Sequence, residues 1–264
     1  MIPLADENPT RTRPYVVYAL IVLNILVYAI DITGPKSPMG GRLWEYSLVP
    51  RSVVQNAPTT IPYVGPVTLP NGQTVLARVP IPHEGLSPQW LTIFTSMFMH
   101  GGLLHIGGNM LYLWIFGNNI EDALGHVKFL IFYLVCGVFA ALAQILSDPS
   151  SVIPMVGASG AIAGVLGAYL LLYPHARVNT LIMLGFFWDV AKIPALYVLG
   201  VWFLIQLVGL GGTGGQLGGG VAYWAHIGGF VAGVVIILLM GRGSILLRQR
   251  SARYQNPYYD EPRR

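Results

Sequence analysis

The sequence predicts an all-α integral membrane protein, a bundle of six transmembrane helices, and its composition supplies the first two reasons. Hydrophobic residues occupy 54% of the 264 positions, and the mean hydropathy is +0.59. Charged residues occupy only 10%, against roughly 25% in soluble domains. Because lipid offers no hydrogen bonds to an exposed backbone, each span is expected to be helical.

The third reason is the number of long apolar runs. Five are continuous, and the second along the chain contains His, Gly and Asn before it continues as MLYLWIFG. The predicted spans cover about residues 15–30, 99–119, 127–146, 157–173, 194–210 and 224–241. They define a six-span domain, residues 15–241, between an N-terminal tail (1–14) and a disordered C-terminal tail (242–264).

The basic residues predict that both tails are cytoplasmic. With the N-terminus inside, the short outside loops 147–156 and 211–223 contain no Lys or Arg, which is the positive-inside pattern. The basic residues on the cytoplasmic side are then Arg11, Arg13, Lys128, Arg177, Lys192 and the arginines near the C-terminus. Since no basic stripe with interleaved aromatics is present, nucleic acid is not an expected partner.

Three connecting segments carry predictions of their own. The first loop, about residues 31–98, is rich in Pro and turn signals and is so long that it is either functional or mobile. Residues 175–193 combine a short apolar patch with Trp188 and charges, which predicts a segment at the cytoplasmic membrane surface. The glycine-rich residues 209–220 predict a flexible outside loop.

Polar residues inside the spans mark the candidate functional site, because they are costly in lipid. They are His105 and Asn109 in the second span, Ser159 in the fourth and His226 in the sixth. These three spans all run from outside to inside, so their first turns are predicted to share one depth near the outer face.

Small residues at a spacing of four predict that the fourth and sixth spans pack closely. Gly160 and Gly164 recur in the fourth span, and Gly229 and Gly233 in the sixth. Because Gly229 and Gly233 follow His226 by three and seven positions, the histidine is expected on the packing face.

A serine beside a neutral imidazole is the nucleophile and general base of acyl transfer. Ser159 and His226 are predicted to form a dyad, since neither of their spans contains an acidic residue that would complete a triad. His105 and Asn109, one turn apart on one face, are candidate oxyanion donors together with the Ser159 backbone N–H. The dyad implies no metal ion and no other cofactor.

Three stretches of the sequence resemble the rhomboid family of intramembrane serine proteases. They read TSMFMHGGLLHIGGNMLYLWIFGNNIEDALG (95–125), GASGAIAG (157–164) and AHIGGFVAG (225–233). The resemblance implies a six-span rhomboid-like bundle. It also implies Ser159 as nucleophile, His226 as general base, and His105 and Asn109 as oxyanion donors.

The resemblance extends beyond the dyad. It implies an accessory role for His100 near the water-accessible cavity, a membrane-embedded hairpin in the first loop, and a lateral substrate gate in the fifth span. The chain departs from the family in one place, where Trp90-Leu91 stands at the position of a frequent Trp-Arg pair. This departure concerns how the first loop is anchored.

Three other interpretations stay open on the residues alone. A metal site of His100, His105 and His226 is disfavoured by the five-residue spacing of the first two and by the lack of an HExxH motif. A transporter is disfavoured because the polar residues cluster toward one face and no internal repeat is visible. A non-catalytic adaptor or chaperone on the same fold is distinguished only by an activity assay.

The preferred function is cleavage of a peptide bond in transmembrane protein substrates near the outer membrane face. Substrate helices and membrane lipids are the expected partners, and no particular oligomeric state is predicted. A substrate is expected to unwind locally, because an intact helix shields its carbonyl groups. The compact six-span form favours a bacterial inner membrane.

Overall fold

The six predicted spans are all helical in the computed structural model, which describes residues 1–34, 43–184, 187–211 and 220–247. The α-helices in chain order are α1 (Tyr15–Thr33), α2 (Pro50–Gln55), α3 (Thr92–Thr95), α4 (Leu103–Tyr112), α5 (Asn118–Leu124), α6 (His126–Ser147), α7 (Ser159–Leu172), α8 (Ala195–Leu210) and α9 (Tyr223–Leu239). A π-helical turn, Leu113–Gly117, joins α4 to α5. Residues 103–124 therefore form one continuous helix, which begins four residues later than the predicted span and extends past its end.

The outward faces of several long helices are apolar. Among the described helices, α1 and α6 are long and apolar enough to cross a membrane, and α7, α8 and α9 are apolar but shorter. Large exposed side chains on these helices include Val22, Leu26, Ile131, Leu204, Val208 and Leu239. Exposed apolar surface of this extent is typical of a face that contacts lipid.

The all-α prediction is wrong outside the spans. The described chain contains the strands β1 (Ile2–Asp6), β2 (Thr59–Thr68), β3 (Thr74–His83), β4 (Arg177–Leu184) and β5 (Phe187–Pro194). They lie outside the predicted spans, apart from Pro194, which ends β5 and is the first residue of the fifth predicted span. Lipid restricts the backbone to helices only within the spans, so strands are possible in these segments.

Strands β2 and β3 form an antiparallel hairpin within the long first loop. Their register runs from Thr59 opposite His83 to Thr68 opposite Thr74. The turn contains Gly72 at φ +82°, a conformation that glycine adopts without the strain other residues would suffer. This part of the loop is thus an ordered ribbon.

The remaining strands form a sheet of order β1-β4-β5. Its first strand comes from the predicted N-terminal tail, and Ile2 and Asp6 pair antiparallel with Leu181 and Val178 of β4. Strands β4 and β5 contain most of residues 175–193, which were predicted as a membrane-surface segment. The sheet therefore lies where α7 ends and α8 begins.

Helix α7 forms the centre of the bundle and packs against α6 and α9. Nearly all of its residues are buried, and its glycines permit backbone contact with α9. A Cβ added to Gly229 would collide with the carbonyl oxygen of Gly160, and one added to Gly233 would collide with that of Gly164. The four glycines thus lie at the contact between α7 and α9.

Two acidic residues of α5 hold the N-terminal part of the chain. Buried Glu121 accepts hydrogen bonds from the backbone N–H groups of Val16 and Val17 at 3.0 and 2.8 Å. It thereby caps the N-terminus of α1, where the N–H groups lack helical partners. Asp122 pairs with Arg11, whose Nε lies 3.0 Å from the carboxylate.

Two predictions fall on residues that the structure does not describe. The flexible outside loop, 209–220, falls largely on residues 212–219, and the C-terminal tail, 242–264, falls largely on residues 248–264.

Candidate active site

Ser159 and His226 are in direct contact across the α7–α9 interface. The distance from Ser159 Oγ to His226 Nε2 is 2.7 Å, which is a short hydrogen bond. Both residues are half-buried. His226 lies in the first turn of α9, where the N–H of Ala225 donates to Gln144 Oε1 of α6 at 3.3 Å.

Ser159 is the first residue of α7, and the preceding turn sets its position. The backbone N–H groups in a first helical turn have no partner within the helix and point outward from its N-terminus. Gly157, two residues earlier, has φ +129° and donates its N–H to the carbonyl oxygen of Ser96 at 2.9 Å. The glycine thus permits the turn that exposes the serine.

His105 lies against this turn from the side of α4. A Cβ added to Gly157 would lie 2.8 Å from His105 Nε2, so the imidazole occupies the space above the glycine. The N–H of Gly101 approaches His105 Nδ1 at 3.4 Å. This long contact favours Nδ1 as the acceptor, and it leaves the proton on Nε2, the nitrogen that faces the serine turn.

Asn109 and His100 occupy neighbouring positions. The amide Nδ2 of Asn109 donates to the carbonyl oxygen of His105 at 2.9 Å, one turn back along α4. His100 is buried, and its ring centroid lies 5.2 Å from that of His105. Within the described part of the chain neither ring nitrogen of His100 has a hydrogen-bond partner.

One further side chain, which was not predicted from the sequence, contacts His226. Gln206 of α8 places its Oε1 2.7 Å from His226 Nδ1. The indole of Trp202, one turn earlier, lies 5.8 Å from the imidazole, centroid to centroid. A signal was present in the sequence, because Gln206 is the only amide side chain in an otherwise apolar span.

The first loop is anchored without the family's Trp-Arg pair. Leu48 and Met155 exchange backbone hydrogen bonds at 3.0 and 2.7 Å, which ties this loop to the segment before α7. Arg51 adds two bonds, from its N–H to the carbonyl oxygen of Ser151 at 3.0 Å and from its Nε to that of Ser150 at 3.1 Å. Trp90 is half exposed.

The fold and the site together define a class: a helical membrane protein in which a serine and a histidine pair inside the bundle. The sequence profile of the Rhomboid domain matches residues 87–243, a range that contains every side chain of this pair and its surroundings. The chain belongs to the rhomboid family.

Several relatives are similar over this region. Rhomboid-like protein 11, chloroplastic, of Arabidopsis thaliana is 32% identical over 165 residues, covering 59% of this chain and 54% of the relative. Rhomboid protein 1, mitochondrial, of Saccharomyces cerevisiae is 30% identical, with coverage of 61% and 44%. Rhomboid protease GluP of Bacillus subtilis is 29% identical, with coverage of 58% and 26%. The chain spans about half or less of the length of these relatives.

Proposed function

We propose that this protein is an intramembrane serine endopeptidase that uses Ser159 and His226 as a catalytic dyad. The observation that carries the proposal is the 2.7 Å contact between Ser159 Oγ and His226 Nε2. Membership of a family whose relatives include proteins named as proteases supports the same function. The reaction is hydrolysis of a peptide bond.

The dyad would act in two steps. His226 Nε2 takes the hydroxyl proton while Ser159 Oγ attacks the substrate carbonyl carbon, and the imidazolium then gives that proton to the departing amine. This forms an acyl-enzyme and releases one product. His226 next takes a proton from water, whose oxygen attacks the acyl carbon, and the proton returns to Ser159 as the second product leaves.

The negative charge on the carbonyl oxygen requires donors that are already in place. The backbone N–H of Ser159 is available because the residue begins α7. The Nε2–H of His105 faces the same turn, and Asn109 has a second amide N–H beyond the one bonded to His105. We assign oxyanion stabilisation to these three groups, and to His100 a supporting position behind His105.

The length of α7 supports a site below the membrane surface. With 14 residues the helix is about 21 Å long, shorter than a hydrocarbon core of about 30 Å. If its far end reaches the cytoplasmic side, where β4 follows, Ser159 lies several ångströms below the outer surface. All six helical segments then cross the membrane with both tails inside, as the basic residues indicate.

Transmembrane proteins are the proposed substrates, cut near the outer face of a bacterial inner membrane. A substrate bond must leave its helix before Ser159 can reach the carbonyl group. Two labelled substrates that differ only in helix-stabilising or helix-breaking residues around the cleavage site test this step. The helix-breaking version should be cut faster, and equal rates would exclude local unwinding as a requirement.

The central experiment measures cleavage of a labelled single-span substrate by the detergent-purified protein. Ser159→Ala and His226→Ala should each lower kcat by at least about 10³-fold, with and without a chelator. The exposed residues Ser147 and His175 provide the matched controls Ser147→Ala and His175→Ala, which should cut like wild type.

Two outcomes would contradict the proposal. Full activity of Ser159→Ala would mean that another group is the nucleophile. A wild-type protein that cuts nothing in a broad substrate panel would favour an adaptor or a transporter on this fold.

The oxyanion assignment has its own test. His105→Ala and Asn109→Ala should each lower kcat by about 10²-fold with little change in KM, since the donors act on charge that develops only in the transition state. A change confined to KM would place these residues in substrate binding instead.

A further inference from the structure

Gln206 stands out on α8 because it is a buried polar residue in a helix with an exposed apolar surface. Its exposed fraction is 6%, against 58% for each of the two preceding residues, Leu204 and Ile205. A polar side chain at this depth in an apolar span is costly unless its hydrogen bonds are satisfied. Both ends of the Gln206 amide are bonded.

The two bonds fix the orientation of the amide. Nε2 donates to the backbone carbonyl oxygen of Trp202 at 3.1 Å. A carbonyl oxygen only accepts, so the NH₂ group must occupy that side and Oε1 must face His226. At the 2.7 Å separation from His226 Nδ1, Oε1 requires a proton on that nitrogen.

The orientation of the imidazole determines what Ser159 meets. With the proton on Nδ1, the neutral ring presents the lone pair of Nε2 to the Ser159 hydroxyl, 2.7 Å away. The opposite tautomer would present an N–H to the serine and could not take its proton. Only the first tautomer is a base toward Ser159.

We propose that Gln206 is a positioning residue of the dyad, holding His226 in the tautomer that accepts the Ser159 proton. This inference rests on the proposed function. Gln206 of α8 is then an uncharged third residue beside Ser159 and His226. Its amide, bonded to the Trp202 carbonyl, supplies the acceptor that a carboxylate supplies in a Ser-His-Asp triad.

If Gln206 only filled space, its variants would rank in the opposite order from the one that the positioning role predicts. Methionine has nearly the same length and is apolar, so packing alone would favour Gln206→Met over Gln206→Glu. The positioning role favours Gln206→Glu, because a carboxyl group offers an acceptor to His226 Nδ1 whether or not it is ionised. The neighbour Ile205 supplies the control Ile205→Met, which introduces the same side chain on the exposed face.

The experiment uses the full chain in detergent with the labelled single-span substrate. It measures kcat and KM for cleavage, and the rate at which a small fluorophosphonate labels Ser159. The labelling step needs an activated serine but no docked substrate helix. Thermal melting of each variant reports whether the protein is folded.

Gln206→Met is expected to lower kcat and the labelling rate by about 10- to 100-fold, with KM within about twofold and unchanged melting. Gln206→Glu is expected to recover most of both rates, and Ile205→Met to match wild type. If Gln206→Glu does not fold, nitrogen-15 spectra of histidine-labelled protein provide the second measurement. The His226 signal should report protonated Nδ1 in wild type and a tautomer mixture in Gln206→Met.

Three results would overturn the inference: Gln206→Met with wild-type rates, Gln206→Glu folded but no faster than Gln206→Met, or an unchanged His226 tautomer in Gln206→Met. The proposed function fails in a different way, through an inactive wild type that does not label at Ser159. The two failures are thus distinguishable.

Discussion

Helices α7 and α8 both reach the site, but they are held in different ways. Helix α7 is enclosed by its neighbours, and its glycines bring it against the backbone of α9. Helix α8 buries only a few residues, and most of its large apolar side chains are exposed. One helix carries Ser159 and the other carries Gln206.

Within one site, α7 is therefore held rigidly, whereas α8 can shift more easily. Backbone contact through glycine leaves little room for α7 to shift, because interiors packed to this density respond to a change of one methyl group. Helix α8 is held by fewer buried side chains, so its position costs less to change. Ser159 is thus on the firmly held helix, while Gln206, which contacts His226, is on the more weakly held one.

The strongest test of this contrast adds one methyl group at the α7–α9 contact. In Gly233→Ala the new Cβ would lie 2.6 Å from the carbonyl carbon of Gly164 and 2.7 Å from its Cα. Backbone atoms cannot rotate away, so the free energy of unfolding should fall by about 3 kcal/mol. Thermal melting in detergent measures the loss, and a wild-type melting temperature would mean that the two helices can separate freely.

A second test concerns α1, which resembles α8 in its exposed apolar surface but has a buried cap. Glu121→Ala would leave the N–H groups of Val16 and Val17 without their acceptor, and the free energy of unfolding should fall by about 2 kcal/mol. Glu121→Gln retains an acceptor oxygen and should lose less. Equal losses in the two variants would show that the cap is not the source of the effect.

The third test examines how the far end of α7 is tied to the sheet. Asp6 Oδ2 accepts hydrogen bonds from Tyr169 Oη of α7 at 2.7 Å and from Asn119 Nδ2 at 2.8 Å. Burial raises the pKa of Asp6 to about 6 from its ordinary value of 3.8, although both hydrogen bonds act in the opposite direction. The folded state therefore binds this proton more tightly than the unfolded state does.

The direction in which stability changes with pH follows from this difference in proton binding. The stability contribution is complete below pH 4 and is lost as pH rises through about 6. Between pH 4.5 and pH 7 wild type should lose up to about 1 kcal/mol relative to Asp6→Asn, after allowance for solvent screening. The measurement is the difference in melting temperature between the two proteins at each pH, and a constant difference would contradict the raised pKa.

The smallest effect is expected on α8. A Cβ added to Gly200 meets no atom within 4 Å, so Gly200→Ala should gain the helix propensity of alanine, up to about 1 kcal/mol. A Gly→Ala substitution is thus expected to stabilise the protein on α8 and to destabilise it on α9. If Gly200→Ala lowered the melting temperature, the contrast between a closely packed α7 and a loosely packed α8 would be wrong.

The helical part of the fold was predictable because each span carries a local signal. An apolar run of sufficient length must be helical in lipid. The spacing of Gly229 and Gly233 after His226 was enough to predict that the histidine faces α7. The contact between Ser159 and His226 agrees with that expectation. Their roles in catalysis stay predictions until an assay is made.

The strands were missed because their signals are not local. Strand β1 consists of five residues in a charged N-terminal segment and becomes a strand only by pairing with β4, more than 170 residues later. The β2–β3 ribbon contains several prolines, which weaken the pattern of a strand. Gln206 was missed for another reason, since the pattern of a Ser-His-Asp triad predicts an acidic residue beside the histidine and not an amide.

The N-terminal end of α8 is held against the turn that precedes β4. Its first two N–H groups, from Ala195 and Leu196, donate to the carbonyl oxygens of Ala176 and Pro174 at 2.8 and 2.9 Å, and both acceptors lie between α7 and β4. Gln206 lies eleven residues further on, about 16 Å along the axis. A tilt of about 10° would carry its amide about 3 Å, more than the length of its bond to His226. A small rotation about the bonded end of α8 therefore displaces Gln206 far enough to break its contact with His226.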